Sequence, residues 1–438
     1  MLFKIYLRYS ILLLITSWAI NQFSAQEVLQ LEDAITIALE NNYGIQVAQK
    51  NQVATEMQVY KSNAGFGPTV DWTTNFNVTG NNVNQQFIDD RTVNRFGRTL
   101  SPNTSVTAGI TLFDVGRMQA TYDRLGQLSE FSKLQGNIVI QNTVMEVMTV
   151  YYNINREKER ISFLVNIIKN YEERLKITEE RWNVGRGSKI DFLQSKTDLN
   201  TQLSQFAVVQ NNLINAKVIL NGVLNREPNL EFETVENPKS EEEYLLDALI
   251  NKAKDQNREI LLLQKSIEIS ELTEKQIAAD RAPQVSAQSA FGISYTNSNT
   301  GFLKSNRSFA LNAGVTARWN LYDGHNRKNQ NAISKINTEI IELQQDQLET
   351  QIINELSFAY NQYNSDKELL TFEIMNKDIA EENLTISLEK FRLGGSTILE
   401  LNEAQRTYDT ALNRLVNAQF NIRISELELL RLSGSIVE

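Results

Sequence analysis

The sequence predicts a mainly α chain with a small β part, built from two internal repeats. Three observations predict it. Residues recur in fixed register between the two halves, period-two stretches follow a proline in each half, and a long proline-free stretch lies beyond each pair of strands. Ala38, Asn42, Ile45, Gln49 and Pro68 meet Ala253, Asn257, Ile260, Gln264 and Pro283, each pair 215 apart. Val106, Phe113, Asp114, Gly185 and Asp191 meet Val315, Tyr322, Asp323, Gly394 and Glu400, each pair 209 apart. The shift of six falls between Pro68 and Val106, which predicts a longer loop in the first copy. The copies are expected at 26–225 and 245–438, joined by an acidic linker at 226–244.

Composition removes several functions. The 438 residues include no cysteine and one histidine, so a disulfide framework, a thiolate zinc site and a polyhistidine metal site are excluded. The 53 acids against 43 bases give a net charge of −10, which argues against nucleic acid as a partner. The mean hydropathy of −0.34 excludes a polytopic helical membrane protein but not a β-barrel, whose strands carry one apolar face each.

Taken in order, Lys4 and Arg8 precede a short apolar run from Ile11 to Ile20, and Phe23-Ser24-Ala25 precedes Gln26. This reads as a signal peptide over 1–25. Helical segments are expected at Leu31–Ser62 and Leu245–Arg281. After Pro68 and Pro283 the apolar and polar residues alternate over about eleven positions, as in a strand with one apolar side. Asn-rich loops are expected at 80–102 and 297–306, followed by second strands through Val106–Leu112 and Phe309–Trp319. Long helices are expected over Arg117–Trp182 and Arg327–Arg392, roughly 100 Å each at about 1.5 Å per residue. Ile161, Leu164, Ile168, Tyr171, Leu175 and Trp182 keep heptad spacing and predict a coiled-coil seam. Glycine turns end each long helix, and returning helices follow at Ile190–Leu224 and Leu399–Leu432.

Four strands of this length suit a membrane barrel but cannot close one, because small barrels need about eight. Open strand edges in lipid leave backbone groups unsatisfied, so several chains must share one barrel. The lipid-facing residues would be Val70, Trp72, Phe76, Val78, Phe291, Ile293, Phe309 and Leu311. Alternation alone also fits a soluble sheet over a core. The export signal and the long helices favour the barrel.

The paired turn signatures Arg181-Trp182-Asn183-Val184-Gly185 with Asp191, and Lys390-Phe391-Arg392-Leu393-Gly394 with Glu400, resemble the TolC-like outer-membrane efflux factors. So do Phe113-Asp114 and Tyr322-Asp323, where strand passes into helix. The resemblance implies a homotrimer with a shared twelve-stranded transmembrane β-barrel and an α-barrel tunnel of long antiparallel helices through the periplasm. It implies a passive exit duct of a tripartite efflux or type I secretion system. A periplasmic adaptor (membrane fusion protein) and an inner-membrane transporter would be its partners, with outer-membrane lipid around it and no cofactor. On the family's pattern, Val184, Gly185, Gly187, Leu393, Gly394 and Gly395 would form the adaptor-docking tip. Asp191, Glu400, Glu403, Phe391 and Arg186 would form the periplasmic constriction. Phe391 and Ser396 stand where the family's latch uses a tyrosine and an arginine, so the latch must differ, with Arg186 as a candidate substitute. The alternative is an exported coiled-coil rod of structural or adhesive use. No residues form the nucleophile and base set an enzyme would need.

Overall fold

The computed structural model describes residues 27–235, 243–300 and 303–436. The predicted signal peptide and the middle of the predicted linker lie outside these residues. In chain order the elements are β1 (Glu27–Leu29), α1 (Leu31–Asn41), α2 (Tyr43–Gln58), β2 (Thr69–Gln86), β3 (Thr92–Phe113), α3 (Arg117–Asn183) and α4 (Lys189–Val223). There follow β4 (Phe232–Thr234), α5 (Leu246–Gln256), α6 (Arg258–Ala279), β5 (Gln284–Ser298), β6 (Ser305–Arg318), α7 (Asn326–Leu393) and α8 (Ile398–Ser433). Among the described residues, no helix is long and apolar enough to cross a membrane.

The chain divides into two compact units. One comprises 1–49, 136–260 and 348–438, and the other 50–135 and 261–347. The first unit is helical and buries the repeat twice. Leu29, Leu31, Ala34, Ala38, Val147, Tyr151, Ile154 and Leu220 form one core cluster. Leu249, Ala253, Ile260, Ile352, Leu356, Tyr363 and Leu429 form another. Ala34/Leu249 and Ala38/Ala253 keep the spacing of 215, and Val147/Leu356, Ile154/Tyr363 and Leu220/Leu429 keep 209. β4 lies within the predicted linker and pairs in parallel with β1. The Tyr151 hydroxyl donates to the Leu29 carbonyl at 2.9 Å beside that pair.

The helical segments predicted as continuous are each broken in two. Asn42 and Asn257 take extended backbone, with ψ of 125° and 120°. Each side chain does the same work. The Asn42 Oδ1 accepts from the Gly44 and Ile45 amides at 2.8 and 3.3 Å, and its Nδ2 donates to the Val223 carbonyl at 2.9 Å. The Asn257 Oδ1 accepts from Glu259 and Ile260 at 3.0 and 3.3 Å, and its Nδ2 donates to the Leu432 carbonyl at 2.9 Å. A short polar side chain that satisfies the first amides of the next helix stabilises the break.

The coiled-coil seam of α3 also differs from its prediction. The buried positions are Leu164, Ile167, Tyr171, Arg174 and Thr178, still at alternating three and four spacing. Ile168 and Leu175 are only half-buried, because the side of the helix that packs is turned by one position.

The second unit carries a four-stranded antiparallel sheet in the order β2-β3-β5-β6. Pro68 and Pro283 stand just before β2 and β5, as expected. The strands are longer than predicted, at 18, 22, 15 and 14 residues. The stretch predicted as a loop at 80–102 is instead a hairpin whose register runs on to Gln86↔Thr92. The six extra residues of the first copy lengthen strands, not a loop. Pro102 lies inside β3 opposite Phe76, at a point where the β3–β5 ladder skips from Leu100 to Asn103. A residue without an N–H is tolerated there because no partner asks for one.

Strand passes to long helix identically in both copies. The Asp114 carboxylate accepts from the Met118 amide at 2.8 Å, and Asp323 from Arg327 at 3.0 Å. The next two residues are left-handed in each case: Val115 and Gly116 at φ of 54° and 86°, Gly324 and His325 at 70° and 69°.

Replacing Asn257 by Ala removes both the cap and the bond to Leu432. It is expected to cost about 2 kcal/mol and to lower the midpoint of thermal unfolding followed by circular dichroism. Asn257→Asp, which keeps the cap acceptor, should lose less.

Candidate functional site

The sheet has one mainly apolar and one mainly polar face. Residues opposite each other across strands share a face, and the registers set Trp72, Val106, Phe291 and Leu311 in one row. Val70, Ala108, Ser289 and Ala313 form the next row, and Thr74, Thr104, Ile293 and Phe309 the row on the other side. The predicted lipid-facing residues therefore share one face. Trp72 and Leu311 are 77% and 73% exposed there, an exposure that water disfavours for side chains of this size. Three of the polar side chains on this face bond one another. The Trp72 indole N–H donates to the Thr104 hydroxyl at 2.8 Å, and Thr74 and Thr104 share a bond of 2.9 Å. The opposite face carries Thr73, Asn75, Ser105, Thr107, Gln288 and Asn312. Counted along β6, Phe309 to Ala317 spans nine residues, close to what a tilted strand needs to cross an apolar layer about 25 Å thick.

The two long helices end in one motif. In the first turn the Gly185 amide donates to the Trp182 carbonyl at 3.0 Å and the Arg186 amide to Arg181 at 2.8 Å. In the second, Gly394 donates to Phe391 at 3.1 Å and Gly395 to Lys390 at 2.8 Å. Gly185 and Gly394 have φ of 74° and 81°, which glycine adopts without a Cβ penalty. Gly187 is needed for another reason: a Cβ there would meet Arg181 Cβ at 2.8 Å. Val184 and Leu393 are 69% and 84% exposed, so each turn presents an apolar side chain to solvent.

The returning helices start on capping residues. The Ser188 hydroxyl accepts from the Ile190 amide at 3.1 Å. Thr397 accepts from the Glu400 amide at 3.3 Å, while the Glu400 carboxylate accepts from the Thr397 amide at 3.2 Å. Glu400 thus closes a capping box, and the pattern Thr397-x-x-Glu400 was readable in the sequence. Glu403 is exposed one turn further on. It lines a polar cavity of about 350 Å³ with Tyr171, Arg174, Asp198, Asn402 and Arg406. Asp191 is half-buried in the first turn of α4.

Known proteins share this arrangement. A family described as "Outer membrane efflux protein" matches residues 34–226 and 249–435. The chain belongs to the outer membrane efflux protein family. It is 22% identical over 315 residues to the outer membrane protein TolC of Escherichia coli (strain K12), a match covering 68% of this chain and 62% of that protein. Its fold is similar to the outer-membrane channel OprN, with a TM-score of 0.78, 16% identity, and 92% and 90% of the two chains covered. It is also similar to the CmeC outer membrane channel of Campylobacter jejuni, with a TM-score of 0.76, 14% identity, and 93% and 86% covered.

Within the efflux-family frame, the structure brings together a group that the sequence reading missed. Arg174 is 1% exposed, although it stands in a coiled-coil seam. It bonds Asp198 on α4 and Asn402 on α8, and donates to Gln405 at 2.7 Å. Its guanidinium lies 4.9 Å from the Tyr171 ring centre. The Tyr171 hydroxyl donates to Asp409 at 2.9 Å. The network joins α3, α4 and α8, and no spacing in the sequence marks it. Burial raises the Tyr171 hydroxyl above its ordinary range, and the Asp409 charge adds to this. Burial also raises the Asp409 carboxyl from 3.8 to about 6, against the opposing effects of the Tyr171 bond and the Arg174 charge.

Nearer the turns, Phe391 is buried and the Arg181 guanidinium sits 4.4 Å from its ring centre. Arg181 also donates to the Phe391 carbonyl. Arg392 pairs with Glu173 and, at 3.0 Å, with Glu389. These contacts join the ends of α3 and α7. Arg186, the candidate substitute, is exposed and bonds no other side chain among the described residues. The Ser396 hydroxyl is buried without a partner.

Two predictions follow from these geometries. Asp409 keeps its proton in the folded chain over a range where the unfolded chain has released it. Its contribution is therefore full below about pH 4 and lost as pH rises through about 6, about 3 kcal/mol in all. Asp409→Asn should flatten the pH dependence of thermal unfolding across this window by a comparable amount. Gly187→Ala should speed amide hydrogen exchange over 181–190 through its Cβ clash with Arg181, and Gly394→Ala should speed it over 390–399 through its positive φ, while Gly126→Ala, with open space and helical backbone, should change exchange little.

Proposed function

We propose that the protein is a passive exit duct of the outer membrane, acting in a tripartite efflux or type I secretion system. The observation that carries this reading is the sheet. One face is mainly apolar and exposed, and among the described residues both outer strands, β2 and β6, have one edge without a strand partner. Such edges cannot face hydrocarbon, so β6 of one copy pairs with β2 of the next. Three copies give twelve strands, and the polar face lines a wet interior. The helical unit lies in the periplasm, which requires the export signal at 1–25.

The two turns are the docking surface for a periplasmic adaptor, with Val184, Leu393 and the flanking Gly185, Gly187, Gly394 and Gly395 as its contacts. The closed tip is held within each chain by Arg181 on Phe391 and by Arg392 on Glu173. An adaptor that binds the turns displaces these bonds, and an inner-membrane transporter supplies the energy. Asp191, Glu400 and Glu403 set a negative potential at the narrow end and favour cations there.

Purified protein added to a planar bilayer should insert as a trimer and conduct ions with a preference for cations. Glu400→Gln with Glu403→Gln should weaken that preference, and an unchanged preference removes the acid ring. Arg181→Ala should raise the conductance of the closed state. A water-soluble monomer that never inserts would favour the exported rod.

A further inference from the structure

The charge of the sheet runs against that of the chain. The whole chain carries −10, yet 69–113 and 284–318 hold six bases against three acids. Five of the bases, Arg91, Arg95, Arg98, Lys304 and Arg307, lie toward the hairpin turns and away from the strand ends that lead into helices. Only Arg91 has an acidic partner among the described residues, Asp89 at 2.7 Å. The exposed Arg307 guanidinium lies over the Phe309 ring at 5.1 Å.

Register sorts these bases by face. Along β3 the apolar face reads Val106, Thr104, Pro102, Leu100, then Arg98 and Phe96. Along β6 it reads Leu311, Phe309 and then Arg307. An exposed arginine therefore stands toward the hairpin end of each apolar stripe, with the exposed Phe96 beyond Arg98 on β3. Arg95 lies on the opposite face of β3. An arginine on the lipid side is unfavourable at mid-depth and nearly neutral at the interface, so both belong at headgroup level. Guanidinium groups at that level match the fork geometry of phosphate oxygens.

We propose that Arg98 and Arg307 form a binding surface for the phosphate groups of lipids in the leaflet around the hairpin turns. The inference rests on the membrane reading above, which puts helices on one side and hairpin turns on the other. In a trimer the surface repeats three times around the barrel.

The test uses the full-length assembly in an uncharged detergent, titrated with bisphosphorylated lipid A and followed by native mass spectrometry. Arg98→Gln with Arg307→Gln should weaken binding about 30-fold, about fivefold for each charge. Arg95→Gln should change it little, and millimolar inorganic phosphate should not displace the lipid. Undiminished binding by the double variant overturns the proposal, as does equal weakening by Arg95→Gln. Displacement by inorganic phosphate would make this a free-anion site and also overturn it. Planar-bilayer conductance separates the two readings: a double variant that conducts normally and binds lipid undiminished sinks this inference alone, whereas wild-type protein that never conducts sinks the channel.

Discussion

An amide that faces hydrocarbon has no water to replace a missing partner, and this constraint governs the proposed channel. The outer edges of β2 and β6 present such groups along strands of 18 and 14 residues, beside a face made of Trp72, Phe76, Phe309 and Leu311. Neither half of that description would be decisive alone. An apolar face over a covered edge could belong to a soluble sandwich, and a bare edge on a polar sheet could be solvated. In the proposed channel the two together call for closure with further copies, which would make the polar opposite face an inner wall. The Trp72–Thr104 bond belongs to the same logic, since the indole N–H finds its acceptor within the sheet and needs none from water.

The helical unit solves a different problem, which is holding repeated helices in register with cores made of small and medium side chains. Ala34, Ala38 and Ala253 allow close helix approach, and leucines fill the facing positions. Apolar packing of this kind is tolerant of sliding. The breaks at Asn42 and Asn257 and the buried Arg174 group are not, because their bonds are made at one register only. A buried charge is a costly way to gain specificity, and here it is offset by Asp198, Gln405 and the Tyr171 ring.

What was legible in the sequence followed its punctuation. Pro68 and Pro283 marked the strand starts, glycine marked the turns, and the absence of proline gave both long helices to within a residue or two. The hairpin at 80–98 was not legible. Asn81, Asn82, Asn84, Gln85 and Gln86 have the composition of a loop, and what makes them strand is the partner strand opposite. The breaks at Asn42 and Asn257 carry neither proline nor glycine, so propensity alone reads through them. Arg174 sits among charged neighbours in the chain and looks like a solvated residue. Only the meeting of three helices makes it a core residue.

The strand-to-helix junctions bear on what the two copies share. Val115-Gly116 and Gly324-His325 are both left-handed pairs, yet glycine occupies the second slot in one copy and the first in the other. An aligned comparison of letters would score the two slots as unrelated. What the two copies hold in common at this junction is a backbone shape and not a residue, and each reaches it with one glycine in the two left-handed slots.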